Sequence, residues 1–184
     1  MTYYGGKELA EAFRTVRNNT IQIAEDIPES KYDFKPSSDT SSIGETLKHI
    51  AVSTSFQGDL HGKKVTDMKT LNFGEIMEGF KAEQAKMTTK AEIIATLKAK
   101  GDAFASFLEG LPESFLAEQV TMPPGATPAT KSRFEMLLSA KEHEMHHRGQ
   151  LMTMERMNGI VPHITRAAQE RQARMMAAAQ TAKA

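Results

Sequence analysis

The segment EHEMHHRGQL, from Glu142 to Leu151, holds three of the six histidines in the chain. Within it, His143, Glu144 and His147 form the pattern H-E-x-x-H, in which two histidines one helical turn apart bind zinc beside a general-base glutamate. The pattern raises three alternatives, namely a zinc peptidase, a different kind of metal site, and a histidine-rich helix without metal.

Hydrophobic spacing places two of these histidines on one face of a helix. Steps of three and four residues define an apolar stripe made of Met136, Ala140, His143, His147, Leu151 and Met154. Because residues four apart on a helix are neighbours, both imidazoles can reach the same ion. They could instead be core histidines, but two such residues on one stripe need two sets of hydrogen-bond partners. The stripe therefore favours a metal site at His143 and His147.

A metal site needs at least one further ligand, and three histidines elsewhere are candidates. His49 lies in the interior of a predicted helix on a partly apolar face, which makes it the best third ligand by position. His61 stands beside Gly62 at the end of that helix, where a histidine can simply favour the helix C-terminus. His163 follows Pro162 in a predicted exposed loop.

His146 and Glu45 are candidate catalytic residues, each with a competing interpretation. His146 lies about 100° around the helix from His147, so we interpret it as a flanking residue or as a hydrogen-bond donor to a ligand. Glu45 precedes His49 by one turn and could orient its imidazole or accept a proton. The favoured alternative for Glu45 is a role as the capping-box partner of Ser42.

The zinc-peptidase alternative lacks a third ligand. The extended motif requires a glycine three residues after the second histidine and a histidine three residues later, where this chain has Gln150 and Thr153. A glutamate could complete the site, but Glu155 is two turns further along the same helix and Glu170 lies in the tail. We therefore do not expect Glu144 to act as a catalytic base.

The composition excludes several other kinds of protein. Lysine plus arginine and aspartate plus glutamate both total 23, so the formal net charge is zero and binding to a nucleic-acid backbone is not expected. The chain has no cysteine, which excludes disulfides, thiolate metal ligands and cysteine nucleophiles. No segment approaches the ~20 apolar residues of a membrane span, and the N-terminus lacks a signal-peptide core. We expect a cytoplasmic protein that does not contact membranes.

Amphipathic patterns predict an all-α protein with one main domain, and no alternating pattern is long enough to predict a sheet. The long helices are expected at about 7–27, 42–62, 89–111 and 130–158, with a shorter helix at about 74–87. These helices predict an up-down-type four-helix bundle in residues 1–164. A helical or frayed C-terminal tail is expected at residues 165–184.

Two segments resemble the DinB/YfiT-like superfamily of metal-dependent enzymes. They are GETLKHIA in the second long helix and KEHEMHHRGQL in the fourth, and the similarity extends over most of residues 7–158. Members of this superfamily share a four-helix bundle in which one histidine from the second helix and two from the fourth bind a divalent metal. The resemblance implies His49, His143 and His147 as the ligands, zinc or nickel as the metal, and a homodimer as the assembly.

The same resemblance implies two kinds of chemistry. Some members are transferases or isomerases that use low-molecular-weight thiols such as mycothiol or bacillithiol, and others are described as hydrolases. We therefore expect a three-histidine metalloenzyme that acts on a small molecule, as a thiol-dependent S-transferase or as a related metal-dependent hydrolase. Since the chain has no cysteine, the thiol would be external. The alternative is a non-catalytic, metal-stabilised stress or binding protein.

Two further residues of the family-like segment, Arg148 and Gln150, lie at helix positions that differ from those of the ligands. We interpret both as structural or dimer-surface residues.

Overall fold

Helices account for most of residues 4–181, the part of the chain that the structure, a computed structural model, describes. The α-helices are α1 (Gly6–Asp26), α2 (Ile43–Gly62), α3 (Phe73–Ala85), α4 (Lys90–Glu109), α5 (Glu113–Leu116), α6 (Arg133–Met157) and α7 (His163–Thr181). Short 3₁₀ turns occupy residues 29–31 and 68–70. Within residues 4–181, no helix is both long and apolar enough to cross a membrane.

Side-chain caps define where the long helices begin. The predicted capping box at α2 is present, since the backbone N–H of Ser42 donates to Glu45 at 2.7 Å and the backbone N–H of Glu45 donates to the Ser42 hydroxyl at 3.1 Å. Thr89 opens α4 and Ser132 opens α6 in the same way. Each cap satisfies backbone N–H groups that have no partner within their own helix.

A small sheet precedes α6 and corrects two predictions. Strand β1 (Gln119–Thr121) pairs antiparallel with strand β2 (Thr130–Ser132), with Val120 opposite Lys131. The predictions of a helix start at Thr130 and of no sheet are therefore wrong. The three-residue strands were too short to give an alternating pattern, and β2 gains its partner only through the turn-rich segment before it.

The long helices α1, α2, α4 and α6 form the predicted four-helix bundle. Helices α1 and α2 occupy diagonal corners, because each packs against both α4 and α6. The start of α1 lies against the end of α4, since a side chain at Gly6 would collide with the Leu108 carbonyl oxygen. Leu60 near the end of α2 packs in one cluster with Met136 near the start of α6. Both of these pairs are therefore antiparallel.

The directions of the four helices run up, down, down and up. Residues at the end of α1, such as Ile23, pack with residues at the end of α6, such as Leu151, so these two helices are parallel. Helix α3 lies outside the bundle against α2. It returns the chain to the starting end of α2, so that α4 runs in the same direction as α2.

A buried ion pair joins all four helices at the centre of the bundle. Arg17 of α1 donates from Nε and Nη2 to the Glu144 carboxylate of α6, both at 2.9 Å. Its Nη1 donates to the Leu97 carbonyl of α4 at 2.8 Å, and Nη2 also donates to the Ile50 carbonyl of α2 at 3.3 Å. A Cβ at Gly101 would lie 2.8 Å from the Arg17 Cγ, so the absence of a side chain there makes room for the arginine.

The C-terminal tail is helical as far as Thr181, and none of the residues of α7 is buried. Arg166 Nη2 holds it to α1 through an ion pair of 2.6 Å with Asp26. His163 begins α7 and its Nε2 lies 3.0 Å from Asn19 Oδ1. The prediction of an exposed loop at His163 is wrong, because this contact with α1 leaves the imidazole half-buried. The predicted boundary at residue 164 falls in the first turn of α7, and the separate tail stays a prediction.

We predict that Glu144→Gln lowers the free energy of unfolding by about 3–5 kcal/mol, because it leaves the Arg17 guanidinium buried without its counter-charge. Urea unfolding followed by circular dichroism measures the change. Replacing both residues by methionine removes both charges and keeps the volume, so the double variant is expected to be more stable than Glu144→Gln. Arg14→Ala is the control, because it breaks the exposed Arg14–Glu109 pair and is expected to cost less than about 1 kcal/mol. Equal losses in Glu144→Gln and Arg14→Ala would show that the buried pair does not anchor the bundle.

Candidate metal centre

Three imidazoles converge between α2 and α6. His49 comes from α2, and His143 and His147 come from one face of α6. The Nε2 atom of His143 lies 3.0 Å from Nε2 of His49 and 3.1 Å from Nε2 of His147. One ring nitrogen from each residue lies within 4.8 Å of the other two. In residues 4–181, no other set of three or more His, Cys, Asp or Glu side chains comes close enough to share an ion.

Hydrogen bonds among the three rings cannot satisfy all of their Nε2 atoms at once. The Gln150 Oε1 atom lies 2.8 Å from His147 Nδ1, and since an amide oxygen only accepts, His147 carries its proton on Nδ1. The Nε2 atom of His147 is therefore an acceptor. His143 Nε2 can donate one proton at most, so it cannot satisfy both of its imidazole neighbours. Two nitrogens bound at ~2.0–2.1 Å to a tetrahedral ion lie about 3.3 Å apart, which the observed spacing approaches.

The surroundings favour the neutral form of His143 and His49. Burial, followed by the neighbouring His147 and His49 rings, lowers the pKa of the His143 imidazole to about 4. Burial, followed by the nearby His147, also lowers the pKa of His49. A neutral imidazole has the free lone pair that a metal ion requires, so these two rings are prepared for coordination at neutral pH.

Gln150 was missed as a site residue by sequence reasoning. Besides accepting from His147, its Nε2 lies 3.3 Å from His146 Nε2, so it links the two adjacent histidines. The interpretation of Gln150 as a structural or dimer-surface residue is therefore incomplete, because its amide orients a candidate ligand. Its spacing of three residues from His147 was the available signal.

His146 is exposed and lies outside the three-ring cluster. Its only side-chain hydrogen-bond partner among the described residues is Gln150, which places it beside the site as a flanking residue.

The glutamates singled out from the sequence lie away from the imidazoles. Glu144 is 1% exposed, and both of its carboxylate oxygens accept from Arg17, so the glutamate of H-E-x-x-H belongs to the core. Glu45 caps α2 and pairs with Lys35 at 3.0 Å. Glu155 is fully buried, which raises its pKa to about 7. None of the three lines either of the cavities that adjoin the histidines.

His61 is a buried residue rather than an exposed helix end. Its Nδ1 lies 3.1 Å from Nη1 of Arg133, and its Nε2 lies 3.1 Å from Oε1 of Gln57. Burial and the nearby Arg133 lower its pKa to about 4. His61 lies in the last turn of α2, as predicted, but its lowered pKa leaves the ring neutral, so a favourable charge at the helix C-terminus does not account for its position. The ring is excluded from the metal cluster by these two partners.

Two cavities adjoin the imidazoles. The first, which we call the connector cavity, has a volume of about 380 Å³ and extends from His49 and His147 to the connector between α1 and α2. The second, the α3 cavity, measures about 530 Å³ and extends from His49 and His143 to α3. Its apolar wall consists of Val52, Phe56, Phe73, Ile76, Met77, Phe80 and Ala140. An ion at the three nitrogens would therefore be reachable from two sides.

Solved structures share this fold. The crystal structure of a DinB-like protein, YjoA from Bacillus subtilis, aligns with a TM-score of 0.61 and 24% identity, over 83% of this chain and 92% of that one. YfiT from Bacillus subtilis, described as a probable metal-dependent hydrolase with an unusual four-helix bundle topology, gives a TM-score of 0.67 and 14% identity. That alignment covers 87% of this chain and 91% of YfiT.

Sequence comparison gives the family itself. The YjoA sequence of Bacillus subtilis strain 168, an uncharacterised protein, is 28% identical over 156 residues, which are 83% of this chain and 90% of YjoA. The family model of the DinB superfamily matches residues 12–151, a range that includes all three converging histidines. The chain therefore belongs to the DinB superfamily.

Proposed function

We propose that the chain binds one divalent metal ion through His49, His143 and His147. The observation that carries this proposal is the approach of three Nε2 atoms to 3.0 and 3.1 Å, although only one of these two contacts can be a hydrogen bond. Zinc or nickel suits a site made of imidazoles. YfiT, a structural relative, is described as probably metal-dependent, which supports the same conclusion.

The reaction that we propose is the transfer of a low-molecular-weight thiol to a small electrophile. When bound, the metal supplies a Lewis acid with an open position, which lowers the pKa of a thiol or a water molecule. No Asp or Glu among the described residues lines either adjoining cavity, so the protein offers no carboxylate base beside the imidazoles. Thiol transfer suits this arrangement because a thiol ionised by the metal needs no separate base. The chain has no cysteine, so the thiol is an external co-substrate.

Different parts of the site have different roles in the proposed reaction. Gln150 holds the proton of His147 on Nδ1 and so turns the Nε2 lone pair toward the cluster. The α3 cavity excludes water from the electrophile through its apolar wall. The connector cavity, with the side chains of Thr40, Ser41 and Thr46, offers hydroxyl groups to the polar part of the thiol.

Hydrolysis is the second candidate function, favoured by the description of YfiT as a probable metal-dependent hydrolase. It would use the same three histidines, with water in place of the thiol. A non-catalytic, metal-stabilised stress or binding protein is the alternative outside enzymes. The two cavities beside the histidines favour an enzyme, because a purely structural site is closed by protein ligands.

We predict that protein purified without a nickel column contains about one equivalent of divalent metal per chain. Plasma mass spectrometry measures the metal content. His49→Ala and His147→Ala are each expected to lose the metal, because two imidazoles do not form a stable site. His146→Ala is the matched control on the same helix and should retain it. Full metal content in His49→Ala and His147→Ala would overturn the assignment of the ligands.

We predict that Gln150→Leu weakens metal binding by about 10- to 100-fold, because the His147 ring loses the acceptor that fixes its tautomer and orientation. Competition with a chelating dye measures the affinity. Thr153→Val is the control, since Thr153 lines the same cavity but its hydroxyl donates to the Gly149 carbonyl of its own helix. If Gln150→Leu and Thr153→Val bind metal equally well, Gln150 does not orient the ligand.

We predict that metal-loaded protein accelerates thiol addition to a small electrophile such as monochlorobimane, and that His147→Ala abolishes the acceleration. Thiol-dependent fluorescence with mycothiol, bacillithiol, glutathione or cysteine measures this reaction. Release of nitrophenol from nitrophenyl esters measures hydrolysis in parallel. Turnover of the esters without thiol addition would show that the activity is hydrolysis and not thiol transfer. Metal binding that raises the melting temperature, with no turnover in either assay, would favour the non-catalytic alternative.

The homodimer and the cytoplasmic location implied at the outset stay predictions. Sedimentation velocity on the full chain measures the assembly.

A further inference from the structure

Gln57 lies in the wall of the α3 cavity, eight residues along α2 from His49. That spacing is about 12 Å along the helix axis. Gln57 therefore places a side-chain amide in the cavity wall about two helical turns away from the candidate metal centre. Its orientation is set by buried groups behind it.

The buried groups form a chain of hydrogen bonds with a fixed direction. Arg133 is fully buried, and its Nε donates to Glu118 at 2.8 Å. Because a guanidinium has only donors, its Nη1 donates to His61 Nδ1 at 3.1 Å. The neutral His61 ring therefore carries its proton on Nε2, which donates to Gln57 Oε1 at 3.1 Å. The reverse orientation of the Gln57 amide would bring two N–H donors face to face.

The amide nitrogen of Gln57 is consequently a free donor at the cavity wall. No described residue accepts a hydrogen bond from it. The hydroxyls of Ser53 and Ser139 in the same wall donate to the Ile50 and Met136 carbonyls of their own helices, so they offer only acceptors.

Lys81 is the only charged side chain among the described residues of this wall. It is exposed, and no ion pair engages it within the described residues. The α3 cavity therefore combines a large apolar surface with an oriented N–H donor and one positive charge, and it lacks a carboxylate.

We propose that the α3 cavity binds a small apolar carboxylate, whose carboxylate accepts a hydrogen bond from Gln57 within a wall whose only charge, among the described residues, is the positive charge of Lys81. The apolar part of the molecule lies between Gln57 and the histidines, a span that suits a chain of about eight carbons. His61 acts as the positioning residue that fixes the Gln57 amide. This proposal deepens the proposed function by giving the substrate class, and the binding itself does not require the metal.

Octanoate is the probe, with octylammonium as its cationic counterpart. Isothermal titration measures binding to the protein as purified and to the same protein after chelation of metal. We expect octanoate to bind both forms and octylammonium to bind neither comparably. Gln57→Leu is expected to weaken octanoate binding by at least about tenfold, because it loses a hydrogen bond to a charged group. Lys81→Gln should weaken it as well, and Ser53→Ala is the matched control that should leave it unchanged.

Gln57→Glu gives the sharpest test. A glutamate still accepts from His61 but offers no N–H donor and adds a negative charge, so the preference should reverse from octanoate to octylammonium. Nitrogen-15 NMR of the histidine rings should show His61 in the Nε2–H form, a readout that does not depend on ligand binding. Circular dichroism verifies that each variant is folded.

Three results would overturn the proposal. They are the absence of octanoate binding, equal binding to the parent and Gln57→Leu, and an Nδ1–H form of His61. Octanoate binding could disappear on chelation and be unchanged by Gln57→Leu. This result would mean that the carboxylate binds the metal, which would overturn the Gln57 subsite while supporting the metal centre. If the protein as purified contains no metal and still binds octanoate through Gln57, the subsite is supported while the proposed metal function is contradicted.

Discussion

The buried ion pair between Arg17 and Glu144 is the constraint on which the rest of the bundle depends. Removing two charges from water is costly, and this pair offsets the cost with bidentate geometry and two further bonds to backbone carbonyls. One of those carbonyls belongs to Ile50, the residue after His49, and Glu144 directly follows His143. Arg17 therefore contacts α2 and α6 at positions adjacent to candidate ligands. The core pair fixes the register that brings the imidazoles together.

The same pair explains why H-E-x-x-H is misleading here. Successive residues on a helix project about 100° apart, so a helix that turns His143 toward α2 turns Glu144 in another direction. In this bundle that direction is the interior. There Glu144 forms an ion pair with Arg17, its only cationic partner among the described residues. A peptidase helix would have to present its glutamate to the same open space as its histidines. The identical letters thus serve two different physical purposes.

Much of the site could be predicted from α-helical periodicity, because His143 and His147 lie on one helix and each belongs to the same stripe. Assigning His49 as the third residue required an inference about which helix packs against the fourth long helix. The partly apolar face around His49 indicated that this residue faces the core. His61 was misinterpreted because its partners, Arg133 and Gln57, include a residue from a distant helix that no local pattern reveals. The direction of α4 was equally hidden, since it depends on the return of the chain through α3 outside the bundle.

The distribution of carboxylates restricts the chemistry. Glu144 is paired in the core and Glu45 is used in the cap of α2, and no acidic residue among those described lines the cavities beside the histidines. Three neutral imidazoles would leave the double charge of a divalent ion uncompensated by the protein. An anionic partner is then favoured at the open position, because the ion is the largest local charge. A thiolate meets this requirement directly, and the apolar wall of the α3 cavity strengthens the attraction by keeping water away.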